Sequence, residues 1–173
     1  LNQMNRKHTI NEYLEIFEKL KKINSKIKFS SDFIIGYPGE DEGDFRKTFD
    51  LIKRIGFINS YSYVYSPRPG TVAAKLELIE KKISMERLSK IQSKLYENQV
   101  NMNKSLENKI LNVLVENLTA DKTKVFARSE YMTPVIFEGK KNDVGKVIPV
   151  RIKKSNRSVL FGERINNLKE RVA

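Results

Sequence analysis

The sequence predicts an α/β segment followed by an all-β one: the tail of a larger α/β domain, a long linking helix, and a small five-stranded β-barrel. Three features carry this expectation. Residues 1–83 alternate helix-periodic and strand-like stretches, the order that βαβ units require. Residues 84–107 keep a helical spacing of apolar side chains. From Asn108 the apolar period drops to two, and five short strand candidates crowd into residues 109–162.

Thr9 and Glu12 have capping-box spacing, so a first helix starts there, and Ile10, Tyr13, Leu14, Phe17 and Leu20 recur on one of its faces. Lys26 to Ile35 reads as a strand. Its tail, Phe33-Ile34-Ile35, is continuously apolar, which suits a strand covered on both faces. Asp41 or Asp44 starts a second helix, Phe45, Phe49 and Ile52 form its apolar stripe, and Gly56 ends it. Ile58 to Ser66 is the second strand. Two parallel strands cannot bury both faces alone, so a preceding strand is expected to be missing. A Pro/Gly loop and a Lys-rich linker fill residues 67–83. Ser84 is the expected N-cap of a helix running to about Glu107, with Met85, Leu88, Ile91, Leu95, Met102 and Leu106 near one side and its methionines as core filler. The barrel strands are expected at Lys109–Glu116, Lys124–Arg128, Pro134–Glu138, Lys146–Lys153 and Ser158–Gly162. Turn signals separate them at Ala120-Asp121, Gly139 to Asp143 and Ser155-Asn156. The expected units are therefore 1–83, 84–107 and 108–173.

The 173 residues carry a formal net charge of +12. The excess is uneven: residues 1–107 hold 19 basic and 14 acidic side chains (+5), residues 108–173 hold 14 and 7 (+7). A small, strongly basic barrel favours a polyanion, nucleic acid first; the plain alternative is a solvated surface. At 39% hydrophobic and 31% charged the balance is that of an ordinary soluble chain. No apolar run approaches the roughly 18 residues of a membrane helix, and no signal peptide is visible. There is no cysteine, which excludes disulfides and thiolate metal sites and is compatible with a cytoplasmic location. The chain starts at Leu1 rather than Met, which suggests a fragment.

Both predicted strands of the first half end in ligand-style loops. Gly36-Tyr37-Pro38-Gly39-Glu40 puts flexible backbone at a strand's C-terminal end, where ligands bind in parallel folds, and Gly36 lets a partner approach the main chain closely. Asp32 lies inside an apolar strand, where a carboxylate needs a partner; the plain alternative is that it caps a neighbouring loop. Tyr65-Ser66-Pro67 and Arg68-Pro69-Gly70-Thr71 form the second loop, where a Tyr and an Arg can stack on a base or hold a carboxylate; alternatively, Tyr63 and Tyr65 alternate into a core. His8 is the one histidine and reads as a surface residue. No catalytic triad or metal-ligand spacing is present.

Taken in order, "MNRKHT" (Met4–Thr9), "SSDFIIGYPGE" (Ser30–Glu40), "YSPRPGTVAA" (Tyr65–Ala74), "ERLSKIQ" (Glu86–Gln92) and "VGKVIPVRIKKSNRSVLFGE" (Val144–Glu163) resemble the radical SAM methylthiotransferases over nearly the whole chain. The last piece resembles their TRAM domain, a small RNA-binding barrel. The resemblance implies the last part of a radical SAM (β/α)6 partial barrel, a linking helix and an OB-like TRAM barrel. "SSDFI" and "YSPRPGT" look most like the branch that adds a 2-methylthio group to N6-isopentenyladenosine at position 37 of tRNA. Sister branches act on ribosomal protein S12 or on threonylcarbamoyladenosine in tRNA. In the family, cysteines hold two [4Fe-4S] clusters, and the one in the radical SAM barrel reduces S-adenosylmethionine to a 5′-deoxyadenosyl radical that activates C2 of the adenine. This chain has no cysteine and so is expected to hold neither cluster, to have no catalytic residue of its own, and to be inactive alone.

The resemblance implies cofactor roles for Ser31 and Asp32 as bonding groups, for Gly36 as a point of close approach, and for Tyr65 and Ser66 flanking the adenosine. Arg6 would pair with the methionyl carboxylate. Lys122, Lys124, Arg128, Lys146, Arg151, Lys153, Lys154 and Arg157 would neutralise phosphates of a tRNA anticodon stem-loop, with Phe126 or Tyr131 for stacking. Ala127 stands where the family pattern has Gly. The full-length protein is expected to be a cytoplasmic monomer without a membrane partner. The competing expectation is a stand-alone TRAM-type RNA-binding protein, which the incomplete sheet argues against.

Overall fold

The computed structural model describes residues 6–165. Met4 and Asn5 of the first motif lie outside the described residues. In chain order the elements are α1 (Ile10–Ile23), β1 (Asp32–Ile35), α2 (Glu42–Ile55), β2 (Tyr61–Val64), α3 (Lys81–Ser105), β3 (Ile110–Leu118), β4 (Val125–Ser129), β5 (Pro134–Phe137), β6 (Val147–Ser155) and β7 (Leu160–Arg164).

Local chemistry places the first helices as expected. Thr9 caps α1 through a reciprocal box with Glu12. Asp41 caps α2 by accepting the Asp44 N–H, and Gly56 closes it in the left-handed conformation at φ 68°. α3 departs from expectation. It starts at Lys81 after Glu80, which makes no side-chain cap bond. Ser84 is buried instead, against Gly36. Of the α3 methionines, Met102 is buried and Met85 is half exposed, so only the former fills a core.

β1 and β2 pair in parallel, Asp32 opposite Tyr61 through Ile35 opposite Val64. Both are shorter than the apolar runs suggest. Ahead of Asp32, the Ser31 N–H donates to the Ser60 hydroxyl and the Ser30 hydroxyl donates to the Asn59 carbonyl, so side chains take bonds that a ladder would use. Nor is β1 covered on both faces. Phe33 and Ile35 pack with Phe17, Phe45, Ile52, Phe57, Ile91 and Leu95 under the helices. Asp32, Ile34, Tyr61 and Tyr63 form an open face, with Tyr61 64% and Tyr63 55% exposed. Tyr63 is therefore not a core residue.

The second half is a closed barrel in the order β3-β4-β5-β7-β6, with β5 and β7 parallel and the other neighbours antiparallel. Its interior holds Leu111, Val113, Val115, Val125, Ala127, Val135, Phe137, Ile148, Val150, Ile152 and Leu160. Ala127 is fully buried among them, so its methyl replaces a hydrogen inside the barrel without opening it. A bulge between Ile152 and Lys154 leaves both Lys153 and Lys154 exposed.

Gly162 closes this barrel. It pairs with Phe137 on one side and Ile152 on the other, and a Cβ there would lie 2.5 Å from Val150 Cγ1 and 2.6 Å from the Arg151 carbonyl oxygen. Backbone cannot yield as a side chain does. Gly162→Ala is expected to cost about 1–3 kcal/mol, read by urea unfolding. A loss under about 0.5 kcal/mol would show that β7 shifts freely.

Candidate functional site

β1 and β2 end side by side, and the Tyr65 N–H donates to the Ile35 carbonyl at 2.8 Å. The loops Gly36–Glu40 and 65–70 therefore form one rim. Glu40 folds the first loop on itself by accepting the Gly36 N–H at 3.0 Å. Arg87 of α3 locks that fold, donating to the Glu40 carboxylate at 2.9 Å and its carbonyl at 3.1 Å, and reaching Glu42 at 3.4 Å. Its guanidinium also lies 5.5 Å from the Phe45 ring. Gly36 sits at φ 74°, and the side where a Cβ would stand is filled by the Ser84 hydroxyl. The close approach at Gly36 is thus made by α3 of the same chain.

The predicted cofactor residues divide along the sheet. Gly36, Tyr65 and Ser66 stand at the rim. The Tyr37 and Tyr65 rings meet edge-on at 5.1 Å, and the Tyr65 hydroxyl is buried without a hydrogen-bond partner, an orphaned polar atom at this rim. Asp32 opens the exposed face four residues earlier, about 13 Å back along the strand. It is exposed, so it bears no burial cost in this structure. Ser31 is half-buried beside it, and Arg6 is exposed ahead of α1. A cleft of about 490 Å³ lies between Pro38-Gly39 and Leu76–Ile79.

The barrel does not gather the predicted cations into one patch. Lys122, Lys124 and Lys146 lie at the end remote from α3, on the β3–β4 turn and at the start of β6. Lys153, Lys154 and Arg157 lie at the α3 end. Arg151, opposite Ile110 at the start of β3, also lies toward the α3 end, and Arg128, opposite Leu114, lies between. Several are already paired: Lys124 with Glu138 at 3.7 Å, Lys153 with Glu163 at 3.0 Å, and Arg128 with both Glu116 carboxylate oxygens at 3.0 and 3.2 Å. Arg128 also lies 5.5 Å from the Phe126 ring. Tyr131 is half-buried against the core, and its carbonyl accepts the Asn59 side-chain amide at 2.7 Å. That bond bridges a cleft of about 540 Å³ between the α/β part and the barrel, lined among others by Lys26, Lys28, Tyr131 and Met132.

The β3–β4 turn that carries Lys122 is stiffened by Asp121. Its carboxylate accepts from the Thr119 hydroxyl at 2.5 Å and the Thr123 N–H at 3.1 Å, and these bonds hold its pKa down at about 2. Because the folded pKa is depressed, the contribution is present above the unfolded pKa and fades as pH falls from about 4 to about 2. NMR titration of Asp121 is expected to show a midpoint near 2, and Asp121→Asn is expected to remove the low-pH change at the Thr119 and Thr123 amides. A midpoint near 4 would mean these bonds do not persist in solution.

Sequence reading gave no site role to Glu40, Arg87, Ile34 or Tyr61. Arg87 meets Glu40 from 47 positions away, a pairing that no local pattern announces.

Comparison with known proteins agrees with this architecture. Residues 1–52 match the radical SAM superfamily, and residues 104–165 match the TRAM domain. The whole chain is 60% identical over 173 residues to the tRNA-2-methylthio-N(6)-dimethylallyladenosine synthase of Pelagibacter ubique (strain HTCC1062), covering 39% of that protein. It is 37% identical over 166 residues to the synthase of the same name from Ruthia magnifica subsp. Calyptogena magnifica, covering 95% of this chain and 37% of the relative. It is 35% identical over 165 residues to that of Wolbachia pipientis wMel, covering 94% and 38%. The chain thus spans well under half the length of the curated relatives it matches. With a radical SAM match ahead of a TRAM match, and relatives of one name along nearly its whole length, the chain is similar to one part of the tRNA-2-methylthio-N(6)-dimethylallyladenosine synthases.

Proposed function

We propose that this chain supplies the strand-end rim and the RNA-docking barrel of an enzyme that adds a 2-methylthio group to N6-isopentenyladenosine at position 37 of tRNA. The observation that carries the reading is the one-sided sheet: helices cover one face, while Asp32, Ile34, Tyr61 and Tyr63 stay open on the other, beside a strongly basic barrel. An open sheet face next to a rim is where a cofactor and an extruded base can meet. The name of the Pelagibacter relative supports the same substrate.

Residues at the rim and along the open face would together hold S-adenosylmethionine. The Tyr65 hydroxyl lacks a partner and would bond a polar group of the ligand. Ser31, Asp32 and Ser66 would bond its amino and hydroxyl groups, Gly36 would contact it along the loop backbone, and Arg6 would hold its carboxylate. When bound, the cofactor supplies the methyl group and the 5′-carbon on which radical chemistry depends. The iron–sulfur clusters of the family do not fit these residues: the sequence has no cysteine, and among the described residues no cluster of His, Asp or Glu is arranged for a metal. Residues 1–83, 84–107 and 108–173 act as cofactor part, link and RNA-docking part. Among the described residues no helix is long and apolar enough to cross a membrane. The full enzyme works as a cytoplasmic monomer on the anticodon stem-loop.

The test is a chimera in which this chain replaces the matching segment of the Pelagibacter relative. Reconstituted with iron and sulfide, and given S-adenosylmethionine and dithionite as the one-electron reductant, it should convert N6-isopentenyladenosine in tRNA to its 2-methylthio form, read by mass spectrometry of digested nucleosides. Modification of threonylcarbamoyladenosine or of ribosomal protein S12 instead would overturn the substrate assignment.

A further inference from the structure

We infer that Arg157, stacked on Tyr96 of α3, is a preorganised phosphate contact, so that the linking helix forms part of the RNA-docking surface. The inference rests on the RNA-docking reading above. The Arg157 guanidinium lies 4.7 Å from the Tyr96 ring centroid. The turn that carries it is held twice over. The Asn156 side chain accepts the N–H groups of Ser158 and Val159, both at 2.8 Å. From α3, the fully buried Asn103 donates to the carbonyls of Asn156 and Arg157, both at 2.8 Å.

This arrangement separates Arg157 from three of the other cations. Lys124, Arg128 and Lys153 each face a carboxylate of the barrel, which already satisfies much of their charge. Arg157 is exposed and has no carboxylate partner among the described residues. Tyr96 covers one face of the guanidinium and leaves its N–H edge for two oxygens of a phosphate. A cation already fixed in place loses little conformational freedom on binding. Lys154 and Lys104, both exposed, add charge of the same sign on β6 and in the last turn of α3.

Tyr96 is nine residues, about 14 Å, along α3 from Arg87, which grips the rim loop. Lys122 and Lys146 lie beyond the nine-residue β3, at the remote end of the barrel. RNA held at Arg157 therefore lies on the rim side of the barrel.

The test measures binding of the 173-residue chain to a labelled tRNA anticodon stem-loop as a function of KCl. Arg157→Gln should weaken binding about fivefold near 0.1 M salt and lower the log–log salt slope by roughly 0.7–0.9, one phosphate contact. Tyr96→Ser should weaken binding about threefold, while Tyr96→Phe, which keeps the ring, should match wild type. Circular dichroism verifies that each variant is folded; should Arg157→Gln fail there, Tyr96→Ser alone decides the result. If wild type shows no salt-dependent binding, the RNA-docking reading falls and this inference with it. If wild type binds but Arg157→Gln keeps the full slope, or if Lys122→Gln with Lys146→Gln carries the loss instead, the inference alone is overturned.

Discussion

Arg87→Met should destabilise the chain by about 3 kcal/mol or more, from the 3–5 kcal/mol range for breaking a buried ion pair. Arg87 and Glu40 retain only 10% and 14% of their side-chain exposure. Removing the guanidinium leaves a nearly buried carboxylate that, among the described residues, keeps the Gly36 N–H as its donor. The loss falls toward the lower end for two reasons. Glu42, the second acid, is 56% exposed and will be rehydrated. The Arg87 Nε is itself buried without a partner, and Met removes that orphan. Two further variants separate charge from packing. Arg87→Lys restores the charge with a single point donor and should recover only part of the loss. Adding Glu40→Gln to Arg87→Met should be milder than Arg87→Met alone, because the stranded charge is gone. Urea unfolding reads all three, and a loss under about 0.5 kcal/mol for Arg87→Met would sink the argument. The rim should loosen together with the fold: Gly36–Glu40 keeps its shape through Glu40, and Glu40 keeps its place through Arg87. S-adenosylmethionine binding by the chimeric enzyme should therefore weaken in Arg87→Met at temperatures where the fold survives.

The features legible in the sequence were those written in neighbouring residues. The Thr9–Glu12 box, the end of α2 at Gly56 and the period-two barrel strands came out as read, and of Asp41 and Asp44 it is Asp41 that caps α2, because each depends on bonds or burial within a few positions. What escaped depends on pairing across distance. Phe33-Ile34-Ile35 looks uniformly apolar, yet only alternate residues are covered, since among the described residues no strand or helix lies against the Ile34 side. Ser84 has the chemistry of a cap but is used as a small buried contact for Gly36. The basic residues after Asn108 predicted the charge of the barrel correctly and its distribution poorly. Strand register sets Arg128 close enough to Glu116 for a bidentate pair, and a bulge turns Lys153 and Lys154 outward together. The family motifs located the rim without revealing that α3 holds it in place.

Asn103→Leu should cost about 2–4 kcal/mol, the second large effect, and it should act at the joint between the two halves. Asn103 is fully buried, and both its amide hydrogens go to carbonyls of the β6–β7 turn. Its own carbonyl accepts from Gln99 at 3.0 Å, and Gln99 in turn accepts the Asn59 N–H at 2.7 Å, just ahead of β2. Asn59 sits at φ 48°, a left-handed conformation that a non-glycine residue keeps only when its surroundings hold it, and its side chain donates to Tyr131 of the barrel. Three side chains thus connect β2, α3 and the barrel in one hydrogen-bonded chain. Leu is close to Asn in size, so the loss isolates hydrogen bonding from volume. Two carbonyls would lose their donor, and Gln99 would lose its acceptor. Hydrogen exchange gives the decisive reading. In Asn103→Leu the amides of Asn59, Ser158 and Val159 should exchange faster, while the barrel interior at Val113 and Val150 stays protected. Uniform loss of protection would instead make Asn103 a general core residue, and unchanged exchange at Asn59 would show that the two halves are joined by packing around Ile58 and Leu106 alone.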